Sequence, residues 1–193
     1  MSLFTEYELK SVKNSYRDYF QKSASTIINE ERNLPISHTF DIFLSHSYLD
    51  KDVILGLNAE LEKMDYSIYI DWIADDELDR RKVTKETAKI IRQRMENSKC
   101  LFFATSLNSQ ISKWMPWECG YFDGLKGKVA ILPVAKTLQS TFNGQEYLGL
   151  YPYVDKVKPQ NGSKKVLWIN ESTNVYTSFE KWLKGEKPYL NNS

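Results

Sequence analysis

An α/β fold, with a parallel sheet and helices on both faces, is the architecture that this sequence predicts. Three observations carry it. Short runs of apolar and aromatic residues alternate with segments of helical period. One of those runs, Cys100 to Thr105, is almost entirely apolar, as expected of a strand covered on both faces. The order β-α-β-α-β-α-β requires crossover connections, which place helices on a parallel sheet. A length of 193 residues suits one domain with extensions.

The elements follow in order. Leu3 to about Arg32 has near-helical spacing of Phe4, Val12, Tyr16, Tyr19, Phe20, Ile27 and Ile28. It is expected to be an N-terminal helical extension over residues 1–35, closed by Asn33-Leu34-Pro35. The main domain is then expected over 36–187, with a frayed tail at 188–193. Thr39 to Ser45 is the first strand. Asp50 to Met64 is a helix with Leu57, Leu61 and Met64 on one face and Asp50 as N-cap. Tyr66 to Asp71 is a second strand, and 73–82 a charged loop. Thr84 to Asn97 is a helix with Val83, Thr87, Ile90, Ile91 and Met95 inward. After the strand at Cys100, a helix begins at Trp114 or Pro116 and runs to Leu125. Val129 to Val134 is the fourth strand. The pattern then weakens. Thr141 to Gly149 reads as a loop with one helical turn, Val166 to Ile169 as a fifth strand, and Val175 to Leu183 as a last helix.

Bulk properties exclude several functions. Hydrophobic residues make up 41% and charged residues 26%, so a packed core is expected. A net charge of +1 gives no broad attraction to nucleic acid or to an anionic membrane. No apolar run approaches the roughly 20 residues that span a bilayer. Met1 to Tyr19 lacks the apolar core of a signal peptide, so a cytoplasmic protein is expected. Cys100 and Cys119 read as free thiols, and no Cys/His spacing suggests zinc or another metal site. No glycine-rich dinucleotide fingerprint or P-loop occurs, so a redox role with a bound dinucleotide cofactor is disfavoured.

The segment Ser112-Lys113-Trp114-Met115-Pro116-Trp117-Glu118 stands out. It places a carboxylate four residues after an indole, at a helix start that follows a strand. In open α/β sheets, ligands bind in the crevice beyond the carboxyl ends of the strands. Ser45, His46 and Ser47 follow the first strand and face the same edge, as do Asp71 and Trp72 after the second. Each residue also has an ordinary structural explanation. Glutamate near a helix start is favoured by the dipole. Tryptophans anchor cores, and an aspartate at a strand end forms turns. A Ser45–His46–Asp50 triad is disfavoured, because adjacent residues point apart and no nucleophile elbow is present.

Several fragments together resemble a known family. Phe40-Asp41-Ile42-Phe43-Leu44-Ser45-His46-Ser47, Tyr69-Ile70-Asp71-Trp72, Ser98 to Ser106, Trp114-Met115-Pro116-Trp117-Glu118 and Val129 to Val134 are similar, in order and spacing, to the motifs of Toll/interleukin-1 receptor (TIR) domains. The resemblance covers about residues 38 to 135. It implies a flavodoxin-like, five-stranded parallel sheet. It also implies either assembly-based signalling or, as in many bacterial members, cleavage of the nicotinamide–ribose bond of NAD. By the same resemblance Glu118 is the catalytic carboxylate and Trp114 its aromatic neighbour. Ser45, His46, Ser47, Asp71 and Trp72 would contact substrate. The acidic-then-basic loop Asp75 to Lys82 would serve TIR–TIR contacts in a homo-oligomer, although it lacks the family's usual glycine. The chain further resembles the signal-producing part of Thoeris-type anti-phage defence, in which a nucleotide product reaches a separate effector protein. A non-catalytic adaptor and a nucleoside deoxyribosyltransferase-like enzyme are the alternatives.

Overall fold

A computed structural model describes residues 2–19, 34–71, 84–106, 108–137, 146–157 and 164–191. Trp72, the loop at 73–82, Val83 and all of 20–33 lie outside the described residues. The elements are β1 (Phe4–Thr5), α1 (Glu6–Tyr19), β2 (Phe40–Ser45), α2 (Lys51–Glu62), β3 (Ile68–Tyr69), α3 (Lys85–Glu96), β4 (Ser98–Thr105), α4 (Trp114–Lys126), β5 (Val129–Ala135), β6 (Tyr153–Val157), β7 (Val166–Asn170), β8 (Val175–Ser178), α5 (Phe179–Leu183) and β9 (Tyr189–Leu190).

Among the described residues these strands form one nine-stranded sheet, ordered β3-β2-β4-β5-β6-β7-β8-β9, with β1 on β5. The central strands β3, β2, β4, β5 and β6 are parallel. Numbered among themselves they run 2-1-3-4-5, the flavodoxin-like order. The expected five-strand sheet is therefore present, but it is one end of a larger one, with β3 at the edge. Its fifth strand is β6, not Val166 to Ile169. Val166–Asn170 pairs antiparallel with β6. The last helix expected at Val175 to Leu183 begins instead as a strand: Val175–Ser178 pairs antiparallel with β7, and only Phe179–Leu183 is helical. Val175, Tyr176 and Thr177 are β-branched or aromatic, which suits a pleated surface. Tyr189–Leu190, expected to be frayed, forms a short strand on β8.

Side-chain alternation divides the core into two layers. Ile42, Leu44, Cys100, Phe102, Ala130 and Leu132 meet α1, α2 and α5 on one face. Phe43, Leu101, Phe103, Val129 and Ile131 meet α3 and α4 on the other. Thr84 caps α3, its hydroxyl accepting from the Thr87 amide at 3.1 Å. Gly127 ends α4 with φ of 59°, a left-handed turn that glycine adopts without cost.

The N-terminus is woven into the sheet. Phe4 and Thr5 pair with Val134 and Ala135. Ser2 and Lys156 each donate an amide to the other's carbonyl at 3.1 Å. Leu3 enters one core layer and Phe4 the other. Helix α1 then packs along α2. At the contact, a Cβ on Gly56 would lie 2.0 Å from the Leu9 carbonyl oxygen, so the two backbones touch only because residue 56 has no side chain. Charges pin the same helix. Buried Lys156 pairs with Glu8, and Lys165 bridges Glu8 at 3.1 Å and Glu60 at 2.8 Å. Burial alone would raise the Glu8 carboxyl, but the two lysines hold it below its ordinary value.

Two predictions follow from this packing. In an exposed helix, Gly→Ala gains about 0.5–1 kcal/mol. Gly56→Ala should instead destabilise by about 1–3 kcal/mol through overpacking, read as a fall in the urea midpoint. A rise in the midpoint would show that α1 and α2 do not touch there. The second concerns Asp155, which is fully buried on β6. Burial pushes its carboxyl up to about 6. Asn170 lies beside it, but its amide nitrogen bonds the Tyr153 and Trp168 carbonyls at 3.3 and 3.4 Å and so relieves little of that cost. The folded state thus holds this proton more tightly than the unfolded chain does. Stability from this group is complete below about pH 4 and is lost as pH rises through about 6. Asp155→Asn should melt higher than the wild type at pH 8, with the gap shrinking steadily toward pH 5. A gap independent of pH would refute this.

Candidate active site

Three parallel strands and one helix converge at the carboxyl edge of the sheet. Between β2 and β4 the strand order reverses, which opens the crevice where α/β proteins bind ligands. Ser45 ends β2. It has the parity of Phe43 and therefore faces α4 rather than α2. Its register partner on β4 is Phe103.

Helix α4 begins at Trp114, and the Ser112 hydroxyl accepts from the Met115 amide at 3.3 Å. Pro116 sits in the first turn, where a missing N–H costs nothing. Of the two helix starts that the sequence left open, Trp114 and Pro116, the structure has the first, so Glu118 lies just past the first turn. Trp114 and Glu118 stand four residues apart on one face. That face turns toward the sheet, and Glu118 has no exposed surface at all (0%). The helix dipole falls off beyond the first turn, and a side chain supports the carboxyl at that depth. The Ser45 hydroxyl donates to Glu118 Oε2 at 2.6 Å, a short charge-assisted bond.

His46 and Asp71 form a second buried pair beside the first. The Leu44 carbonyl can only accept, so His46 Nδ1 donates to it at 2.8 Å. Nε2 then faces Asp71 Oδ1 at 3.2 Å. Asp71 lies two residues beyond Tyr69, which is in register with Phe43, so it occupies the same face as Ser45. Ser47 opens the turn that follows and accepts from the Leu49 amide at 3.4 Å. Trp114 is buried and meets Trp117 edge-on at 5.4 Å, and Trp117 stacks on Tyr121 at 5.7 Å.

Ser45, His46, Ser47, Asp71, Trp114 and Glu118 are all buried at this edge. Ser45 is hydrogen-bonded to Glu118, and His46 Nε2 lies 3.2 Å from Asp71 Oδ1. No triad links Ser45, His46 and Asp50, because Asp50 is engaged elsewhere. Its carboxylate accepts from Ser106 Oγ at 2.5 Å and from Asn108 Nδ2 at 2.6 Å. Asp50 stands at the N-cap position of α2 yet makes no side-chain cap. Sequence reasoning missed Ser106 and Asn108. The available signal was their turn-forming chemistry right after a strand on the ligand-binding edge.

This arrangement offers one anion held on a rigid helix, a fixed hydroxyl beside it and an indole one turn away. No family model matches the chain. Two curated relatives do. The chain is 50% identical over 190 residues, 95% of its own length and 98% of the relative's, to a protein of Bacillus cereus (strain MSX-D12) named "Probable 3' cyclic ADP-D-ribose synthase ThsB'". It is 34% identical over 93 residues, 48% of its length and 24% of the relative's, to a protein of Cytobacillus dafuensis that bears the name cyclic ADP-D-ribose synthase TIR2. With half of the residues shared across nearly the whole of both chains, and with the flavodoxin-like order and the buried Trp114–Glu118 pair in place, the chain belongs to the Thoeris-type TIR family of ThsB'.

Proposed function

We propose that this chain cleaves the nicotinamide–ribose bond of NAD and closes the remaining ADP-ribose into a cyclic nucleotide that signals in anti-phage defence. The names of both relatives support the cyclic product. The observation that carries the chemistry is the 2.6 Å bond from Ser45 to a completely buried Glu118 at the switch point of the sheet.

In NAD the nicotinamide leaves as a neutral base from a cationic pyridinium. Departure needs no general acid, unlike ordinary glycosides with two working carboxylates. The developing oxocarbenium ion needs a fixed negative charge near the ribose, and Glu118 supplies it. Ser45 holds one carboxylate oxygen and sets the direction of the other. Trp114 offers a flat wall for the leaving ring. His46 and Asp71 brace the turn that follows Ser45, and Ser47 extends the same rim toward substrate. Cyclisation instead of hydrolysis requires that a nucleophile of the adenosine half reach the ribose carbon before water does. A site built from buried groups favours that order of events. Because no part of Glu118 reaches solvent in this conformation, substrate entry requires local opening at this edge.

The same reading extends to partners. A diffusible nucleotide implies a separate effector protein that receives it. Exposed Tyr48, Leu49 and Ile111 lie on the turns that border the site, which suits contacts between copies of the chain at the rim. No helix among the described residues is long and apolar enough to cross a membrane. This agrees with a cytoplasmic place of action, where NAD is abundant.

The test is product analysis by mass spectrometry after incubation with NAD at high protein concentration, alone and in infected-cell lysate. Wild type should release nicotinamide and form a cyclic ADP-ribose. Glu118→Gln should lower turnover by at least about 10³-fold, as loss of a transition-state charge does. Ser45→Ala should lower it by about 10-fold, the value of one hydrogen bond to a charged group. Unchanged turnover in Glu118→Gln would overturn the assignment. So would base exchange on deoxynucleosides with NAD left intact.

A further inference from the structure

We infer that Asp50 is a positioning residue for this reaction, the tie that keeps Ser45 and Glu118 aligned while the edge of the site opens. The inference rests on the function proposed above. Two turns flank the switch point. One leaves β2 and runs through Ser47 to Asp50, closed by the Asp50 amide on the Ser47 carbonyl at 3.1 Å. The other leaves β4 and precedes α4. It is braced internally: the Ser106 hydroxyl accepts from the Asn108 and Ser109 amides, both at 3.1 Å, and Ser109 Oγ donates to the Ser106 carbonyl at 2.8 Å. Each turn is stiff by itself. The side-chain link between them is the Asp50 carboxylate, which uses one oxygen for Ser106 and the other for Asn108.

The link is bought at a local cost. Aspartate is among the residues most favoured at a helix N-cap, where its side chain accepts a backbone amide. Asp50 occupies that position on α2, at the end of a 3-10 turn Tyr48–Asp50, and its side chain makes no cap bond there. A residue that forgoes its best local bond in favour of two short bonds to another loop breaks a local rule where the site is built. The benefit is geometric. Ser45 sits just before the first turn and Glu118 just beyond the second, so their alignment depends on how the two turns are spaced. Misplacement by about 1 Å at a reacting centre is worth about 100-fold in rate.

The experiment measures NAD turnover and backbone-amide hydrogen exchange on the full chain. Asp50→Ala should lower kcat by about 10–100-fold while KM for NAD moves less than about 3-fold. Amides of 106–113 should exchange faster, with α3 and the central strands unchanged. Asp50→Asn, which keeps an acceptor for Asn108, should recover most of kcat, as a merely structural defect would not. Adding Asn108→Ala to Asp50→Ala should cost nothing more, because both break one tie. If Asp50→Ala does not fold, Asn108→Ala takes its place, with a smaller fall in kcat and the same exchange pattern. An Asp50→Ala protein with wild-type kcat and unchanged exchange would overturn the inference and leave the proposed reaction standing. If wild type itself leaves NAD intact, the reaction falls, and faster exchange at 106–113 alone then decides the tie: its presence keeps Asp50 as a loop clamp, and its absence removes it.

Discussion

A carboxylate with no exposed surface must be met by donors, since an unsatisfied charge at that depth costs far more than a hydrogen bond returns. Glu118 is such a group, and the bond from Ser45 is its visible support. Much of the surrounding structure can be understood as a condition for that bond. The serine must end a strand with its hydroxyl on the α4 face, which the alternation Ile42-Phe43-Leu44-Ser45 provides. The helix must enter at an angle that turns its Trp114–Glu118 face inward, which the Ser112 cap and Pro116 set. The two strands must also be neighbours with their following loops side by side, which is what the reversal of strand order between β2 and β4 produces. Sheet topology and site chemistry are thus one constraint.

The centre of the fold was legible because its signals are strong and local. Cys100-Leu101-Phe102-Phe103-Ala104 can be buried on both faces only as a central strand. Thr84 with the periodic Thr87, Ile91 and Met95 defines a capped helix. The site residues were legible for a related reason: ends of parallel strands converge on one edge, so Ser45, Asp71 and Glu118 could be placed together from order alone. Depth was not legible. The sequence left open whether α4 begins at Trp114 or Pro116, and nothing in it showed that Glu118 is fully buried or that the His46 ring lies between the Leu44 carbonyl and Asp71. Those facts depend on where α4 begins and on a loop that turns back on its own strand.

The outer strands escaped for a different physical reason. Tyr153-Val154-Asp155-Lys156-Val157 carries two charges in five residues and reads as surface, yet four of the five are buried. Alternation sends Lys156 to one face, where Glu8 and the Phe4 ring receive it, and Asp155 to the other, where it sits with little compensation. The lysine is satisfied by residues about 150 positions earlier in the chain. No local window can contain that information. Strand β7 was legible as a strand but not as an antiparallel one, and β8 hid because a four-residue segment fits a helical turn as well as a strand until a partner is known.

This placement of the N-terminus changes what the helical extension is. A helix added to a finished domain would contact it through side chains. Here the chain first donates a strand to β5 and a bridge to β6, fills both core layers with Leu3 and Phe4, and only then becomes α1. The helix is drawn so close to α2 that Gly56 meets the Leu9 backbone. Helix α2 in turn starts at Asp50, whose side chain is committed to the loop ahead of α4. A continuous path of packed backbone and short hydrogen bonds therefore runs from β1 through α1 and α2 to the turn that precedes the Glu118 helix. Coupling along such a path requires an element with two discrete arrangements. The two turns joined by Asp50 are where that path passes through side-chain bonds, to Ser106 and Asn108, rather than through packed backbone.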